Sequence, residues 1–242
     1  MEYYYTPKSL VFPEKQLLHI EDFEYKHLVK VLRKRIGDEI NVTDGEGNIY
    51  KCRIDAITKT KIIASIEDTA KDLYELAYNL IACISPLRNP SRFEFEIEKS
   101  VELGVKKIIP VVTERTVVKE AFEGTKFERY RKIIITAMGQ SMRCVLPEMS
   151  NKITLEKLIE ETTNEPNRIV FYEFAEDEEF FKPEPTSKNI FVLIGPEGGF
   201  SDKEINLLRL SGWKVNSLGE RKVRSETAAI LALYNIIKKL NS

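Results

Sequence analysis

The sequence predicts a two-part α/β chain: a small β-rich module over residues 1–72 and a larger domain over residues 73–242 built on a mostly parallel sheet. Three observations predict it. Short β-rich runs separated by glycines fill the amino-terminal part. From Leu80 onward, apolar strand-like runs alternate with helical patterns. Near the carboxyl terminus, two apolar runs each end in a glycine-bearing turn that opens a strongly signalled helix.

In order along the chain, EYYY, EINVTD, IYKCRIDAI and KIIASIED read as strands, with turns at Gly37, Gly45 and Gly47. One helix, near Tyr25 to Lys34, interrupts them, so the module suggests a small barrel. The charged segment Asp68 to Glu75 marks the junction. Strands are then expected at Asn79–Ile84, Lys107–Val112, Arg168–Phe174, Asn189–Ile194 and Lys214–Leu218. Helices are expected at Ser91–Leu103, Phe127–Met142, Thr154–Thr163, Asp202–Ser211 and Glu226–Leu240, with Gly104 and Gly212 at helix ends. RFEFEIEK alternates like a strand, but Phe93, Ile97 and Val101 also keep a helical spacing, and the glycine that follows favours the helix. No internal repeat stands out. The acidic EDEEFFKPEP, from Glu176 to Pro185, reads as an exposed linker.

The most informative stretch runs from Phe191 to Ala229. FVLIGPEGGFS ends one strand, and Ser201 and Glu204 form an S-x-x-E capping box with Phe200 and Ile205 at the staple positions. NSLGERKVRSETAA ends the next strand, with Ser225 as a natural N-cap and Glu226 suited to the positive end of the helix dipole. In an open α/β sheet, ligands sit beyond the carboxyl ends of the strands, so the paired turns define one candidate pocket. GPEGGFS lacks the lysine of a phosphate-binding P-loop and carries Glu197, which would repel phosphate. No G-x-G-x-x-G string occurs. The pocket suits a ligand that is neutral or positive near Glu197 and is held mainly through backbone groups.

Composition bounds the function further. The 242 residues carry 43% hydrophobic residues, enough for real cores, and a net charge of −1. Residues 86–143 hold twelve Lys and Arg against eight Asp and Glu, whereas residues 155–185 hold three against ten. Lys26, Lys30, Arg33, Lys34 and Arg35 cluster without an acid between them. A phosphate backbone needs such a local positive face rather than a basic total. Cys52, Cys83 and Cys144 are odd in number and widely spaced, which fits a reducing, cytoplasmic setting and no zinc cluster. The only histidines, His19 and His27, lie in the first module, so the later half has no imidazole base and no histidine metal site. His27 is expected to cap or pack there. MEYYYTPKSL carries no secretory pattern, and the apolar run in the last helix is too short to span a bilayer.

GPEGGFS followed by LGERKVRSETA resembles the carboxyl-terminal signature of the SPOUT superfamily of methyltransferases. Within it, the chain is similar to the bacterial family that methylates N3 of one uridine in 16S ribosomal RNA. EKSVELGV (Glu98 to Val105), QSMR (Gln140 to Arg143) with Pro147 beyond it, HLVKVLRKRIGD (His27 to Asp38) and DGEG (Asp44 to Gly47) extend the resemblance over nearly the whole chain. It implies a PUA-like RNA-binding barrel, a SPOUT domain with a deep trefoil knot, S-adenosylmethionine as cofactor, 16S ribosomal RNA of the small subunit as partner, and a homodimer formed through the carboxyl-terminal domain. Where the family begins with an arginine before an aromatic pair, this chain has Glu2 before Tyr3 and Tyr4.

On that resemblance, backbone groups near Ile194, Gly195, Gly199, Leu218, Gly219 and Val223 are expected to hold the adenine and ribose, with Ser217 beside them. Tyr172 and Glu173 would complete the pocket, Glu173 as a ribose partner, and Thr227 would line its floor. Methylation at N3 requires loss of the N3 proton and alignment of the nucleophile, with neither a metal nor a covalent intermediate. Arg224 or Arg221 is the candidate to stabilise the developing uracil anion, and Glu226 or Glu197 the candidate carboxylate base. Arg33, Arg88, Arg92, Gln140 and Arg143 are the candidate RNA contacts. Two alternatives stand beside this reading: a non-enzymatic ribosomal RNA-binding or assembly protein, and a SPOUT enzyme acting on another RNA.

Overall fold

The computed structural model describes residues 2–119, 122–175 and 182–240. Contacts divide the chain into two compact units: Met1–Glu75 with Ile135–Leu146, and Leu76–Ile134 with Pro147–Ser242. This partition differs from the expected break after Asp72, because a later segment of the chain folds with the amino-terminal module.

The first unit contains β1 (Tyr3–Tyr5), β2 (Val11–Phe12), β3 (Leu17–Ile20), α1 (Asp22–Lys26), β4 (Glu39–Thr43), β5 (Asn48–Ile57) and β6 (Ile62–Lys71). Their hydrogen-bonded path runs β1-β4-β5-β6-β3-β2. Instead of a closed ladder, the Thr6 hydroxyl after β1 donates to the His19 carbonyl of β3 at 2.6 Å. Alternate residues turn inward: Ile40 and Val42 on β4, Tyr50, Cys52 and Ile54 on β5, and Leu18 and Ile20 on β3 meet in one cluster. The expected helix is short. After α1, residues His27–Val31 form a π-turn, and Arg33 takes the left-handed conformation at φ 55°. His27 packs, as expected, edge-on to Tyr4 with ring centroids 6.3 Å apart.

The later segment is integral to this unit. Cys144 packs with Tyr3 and Ile49, and its carbonyl accepts from Gly47 N at 2.9 Å. Arg143 is only 3% exposed and pairs with Glu75, Nη2 to Oε2 at 2.8 Å. The other Glu75 oxygen accepts from the Cys144 and Val145 amides at 3.1 Å.

The second unit holds β7 (Asn79–Ile84), α2 (Pro90–Glu102), β8 (Lys107–Val112), α3 (Gly124–Gln140, whose last turns belong to the first unit), β9 (Glu148–Met149), β10 (Ile153–Thr154), α4 (Leu155–Glu161), β11 (Arg168–Phe171), β12 (Asn189–Ile194), α5 (Asp202–Leu210), β13 (Lys214–Asn216) and α6 (Ser225–Leu240). The strands form a parallel sheet in the order β10-β8-β7-β12-β11-β13, with β9 also pairing β8. Both faces are covered, so β7 and β12 are buried along almost their whole length. RFEFEIEK is helical, inside α2, with Phe93, Glu96, Ile97, Ser100 and Val101 on its buried face. Residues 176–181 of the stretch expected as an acidic linker lie outside the described residues. Among the described residues, no helix is long and apolar enough to cross a membrane.

Candidate active site

Strands β12, β11 and β13 are neighbours that all run in one direction, so their carboxyl ends open side by side. Beyond β12 the chain turns at Gly195. An added Cβ there would lie 2.9–3.2 Å from three atoms of the Phe200 ring, and that ring, 3% exposed, is packed in the core beside Ile205. The capping box forms as expected: Ser201 N donates to Glu204 Oε2 at 2.9 Å and Glu204 N to Ser201 Oγ at 3.4 Å. Glu204 Oε1 accepts from Glu114 N at 2.8 Å, and Arg115 Nη1 donates to the Gly198 carbonyl at 2.8 Å. The loop after β8 thus buttresses the glycine turn.

The second turn follows β13. Gly219, at φ +98°, takes a conformation that disfavours any side chain, and its amide donates to Ser217 Oγ at 3.0 Å. Ser225 was expected as the N-cap of α6, but its hydroxyl instead donates to the Gly195 carbonyl at 2.5 Å. The helix starts one residue earlier than such a cap requires, with the Arg224 carbonyl accepting from Ala228 N at 2.8 Å. One buried hydroxyl therefore ties the two turns together.

Between the turns lies a cleft of about 330 Å³, walled by Phe171, Ile194, Phe200, Leu218, Val223 and Ala228, with Arg92, Glu173, Glu197, Arg221, Lys222 and Arg224 at its charged edges. Lys222 Nζ meets Glu173 Oε2 at 3.1 Å. Tyr172 donates to Asp202 Oδ1 at 3.2 Å, and burial, aided by that carboxylate, raises its phenol above the ordinary value. Flat aliphatic walls, a bend with no room for a side chain at Gly195 and open space over Gly219 fit a planar heterocycle carrying a charged tail. Among the described residues no cluster of His, Cys, Asp and Glu could hold a metal.

The structure brings Tyr172, Glu173, Ile194, Gly195, Gly199, Leu218, Gly219, Val223 and Arg224 to the cleft. Others fall elsewhere. Ser217 braces the Gly219 turn from outside the lining. Thr227 is exposed and Ala228 lines the cleft in its place. Helical phase explains the exchange: Ser225 and Ala228 are three residues apart and share a face, while Thr227 points away. Glu226 is 8% exposed and absent from the lining. Its Oε1 lies 3.6 Å from Nε of Arg92, which does line the cleft. Glu197 Oε1 accepts from the Arg88 amide at 2.9 Å, joining the first turn to the start of α2.

Among the expected RNA contacts, Arg33, Arg88 and Gln140 are exposed, and Gln140 borders a polar hollow of the first unit with Tyr4, Lys34 and Asn41. Arg143 must be corrected. Its guanidinium is buried against Glu75 and cannot present itself to a nucleic acid. Glu96 is not among the residues expected from the sequence; it is fully buried on α2, one turn after Arg92, with Glu226 among the charges acting on it. The spacing of Phe93, Ile97 and Val101 carried the signal, since Glu96 lies on the same helical stripe.

Comparison with known proteins agrees with this geometry. A family model described as the RNA methyltransferase domain matches residues 75–237, and one described as the RNA methyltransferase PUA domain matches residues 20–67. The chain is 32% identical over 220 residues to ribosomal RNA small subunit methyltransferase E of Aquifex aeolicus, covering 88% of this chain and 91% of that protein. It is 33% identical over 178 residues to the protein of that name from Mesomycoplasma hyopneumoniae, covering 72% and 76%. The crystal structure of the Neisseria gonorrhoeae protein of that name, bound to S-adenosyl methionine, superposes with a TM-score of 0.87 at 27% identity, over 98% of this chain and 97% of that one. Two glycine turns tied into one cleft, on a chain with these relatives, place the protein in the ribosomal RNA small subunit methyltransferase E family.

Proposed function

We propose that the chain binds S-adenosylmethionine between its two carboxyl-terminal turns and methylates N3 of a uridine in 16S ribosomal RNA of the small subunit. The observation that carries this reading is the Ser225–Gly195 hydrogen bond, which makes one cleft of two turns. Bound there, the cofactor supplies an electrophilic methyl group on a sulfonium. The aliphatic walls at Ile194, Leu218 and Val223 hold its adenine, and Glu173 takes the ribose hydroxyls.

At the cleft edge, Arg224 provides guanidinium donors for the uracil oxygens as the N3 proton leaves and negative charge develops. Arg92 stands on the same lining and is oriented by Glu226 behind it. Glu226 therefore acts through Arg92 rather than at the base itself. The rate comes from alignment and charge placement.

RNA is held by the exposed Arg33, with Lys34 and Arg35 beside it, and by Arg88. A second copy of the chain covers apolar side chains left exposed on α2 and α6, where Phe95, Leu231 and Tyr234 are 43%, 40% and 54% exposed. The two turns form a deep trefoil knot, and the protein works in the cytoplasm. The test is transfer of labelled methyl from S-adenosylmethionine to small subunits of a deletion strain, followed by nucleoside analysis. N3-methyluridine is the expected product, and Arg224→Ala should lower kcat by about 10²–10³. No labelled nucleoside, with no calorimetric binding of the cofactor, would instead favour a non-enzymatic RNA-binding protein.

A further inference from the structure

Behind the cleft wall stands a group that neither the fold nor the cofactor pocket requires. Glu96, on α2, is 0% exposed, and neither of its carboxyl oxygens has a hydrogen-bond partner among the described residues. Its neighbour Glu226, at the start of α6, has one oxygen facing Arg92 at 3.6 Å and the other, Oε2, buried without a partner. The charged groups acting on Glu96 are Glu226 from α6 and Glu197 from the first glycine turn, both negative. Arg92, on its own helix, is turned to Glu226. Among the described residues, no cation pairs with Glu96.

A buried carboxylate in that position would face two like charges with no donor, an arrangement whose desolvation cost is large. Two ionised carboxylates also cannot bond to one another. One proton resolves both problems, because a neutral acid supplies the donor that Glu226 Oε2 lacks. We propose that Glu96 is a positioning residue for methyl transfer: as a neutral acid it donates to Glu226 Oε2, fixing that carboxylate so that its other oxygen holds Arg92 at the edge of the cleft. Burial first, and the two acidic neighbours second, hold the Glu96 proton well above the ordinary carboxylate range.

The order of residues is thus Arg92 on the cleft, Glu226 behind it and Glu96 behind that. Glu96 never touches substrate. When pH rises far enough to ionise it, Glu226 loses its donor and gains a like charge, Arg92 loses its fixed partner, and the rate falls. The inference rests on the methyl-transfer reading for its kinetic part and on the structure alone for its protonation part.

The experiment uses the full-length protein with two substitutions, Glu96→Gln and Glu96→Leu. Glutamine keeps a neutral donor, and leucine removes it at similar bulk. Glu96→Leu should lower kcat about tenfold, the effect of one lost hydrogen bond to a charged group, with little change in the Kd for S-adenosylhomocysteine. Glu96→Gln should restore most of that loss and remove the alkaline fall of the wild-type pH–rate profile. Independently of activity, infrared spectra of wild type at neutral pH should show a protonated carboxyl band that is missing in Glu96→Gln. Absence of that band in wild type overturns the proposal even if the enzyme methylates RNA. Equal kcat and pH profiles for all three proteins overturn it as well. Failure of wild type to methylate any RNA would instead overturn the functional reading, leaving the infrared result to decide the state of Glu96.

Discussion

Replacing Ser225 by alanine isolates the contact that makes one cleft out of two turns. The hydroxyl donates to the Gly195 carbonyl at 2.5 Å, and the serine is 9% exposed. Its removal leaves a carbonyl in the cleft wall short of a donor, which costs about 1–3 kcal/mol. The change from serine to alanine adds no bulk, so no clash confuses the result. Both residues line the cleft, so part of that cost must appear in ligand binding as well as in stability. If about 1–2 kcal/mol is expressed in binding, the Kd for S-adenosylhomocysteine rises roughly 5–30-fold. Calorimetric titration and denaturant unfolding on the same preparation measure both quantities. Thr154→Ala is the control, because it removes the cap that accepts from Lys157 N at 3.2 Å at the start of α4. It should cost about 1 kcal/mol of stability and leave Kd unchanged. A Ser225→Ala protein that binds the ligand as tightly as wild type would refute the claim that this bond couples the turns.

Three further outcomes follow from the geometry. Arg143→Ala should destabilise the protein by about 3–5 kcal/mol in equilibrium unfolding, since it strands the buried Glu75 carboxylate; a stable variant with weakened RNA binding would restore Arg143 to the RNA surface. Ala228→Leu should abolish cofactor binding in calorimetry while Thr227→Leu leaves it intact, because only Ala228 lines the cleft. Glu24, raised from 4.5 to about 7 chiefly by burial, favours the folded state only when protonated. Its stabilising effect is full below about pH 4.5 and is lost as pH rises through 7, on the order of 3 kcal/mol in total. Glu24→Gln should flatten that slope in unfolding experiments across this range, and an unchanged slope would remove Glu24 as its source.

What the sequence revealed depended on how local the determining physics was. β7, β8 and β12 lie where unbroken apolar runs put them, because a strand covered on both faces needs no partner information to be recognised. The Ser201–Glu204 capping box is equally local. β2 is hard to recognise because it has only two residues and is followed at once by Pro13. Ser225 carried an N-cap signal, but the acceptor that claims its hydroxyl lies thirty residues away. Arg143 looked like a free cation because its partner, Glu75, lies 68 positions earlier. Glu96 was hidden for a related reason: in RFEFEIEK the acids alternate as on an exposed strand, and only the helical phase buries this one. Of the ten residues expected to hold the cofactor or line its floor, eight line the cleft, from the end of β12, the two turns and the segment just after β11; Ser217 braces a turn from outside the lining, and Thr227, on α6, faces away.

The central claim is that the turns after β12 and β13 jointly hold the methyl donor. A crystal structure of the chain grown with S-adenosylhomocysteine tests it most directly. Its adenine should lie between Ile194 and Leu218, with the sulfur toward Arg224. Ligand density at any other place, or a cleft closed by side chains in the presence of saturating ligand, would contradict it.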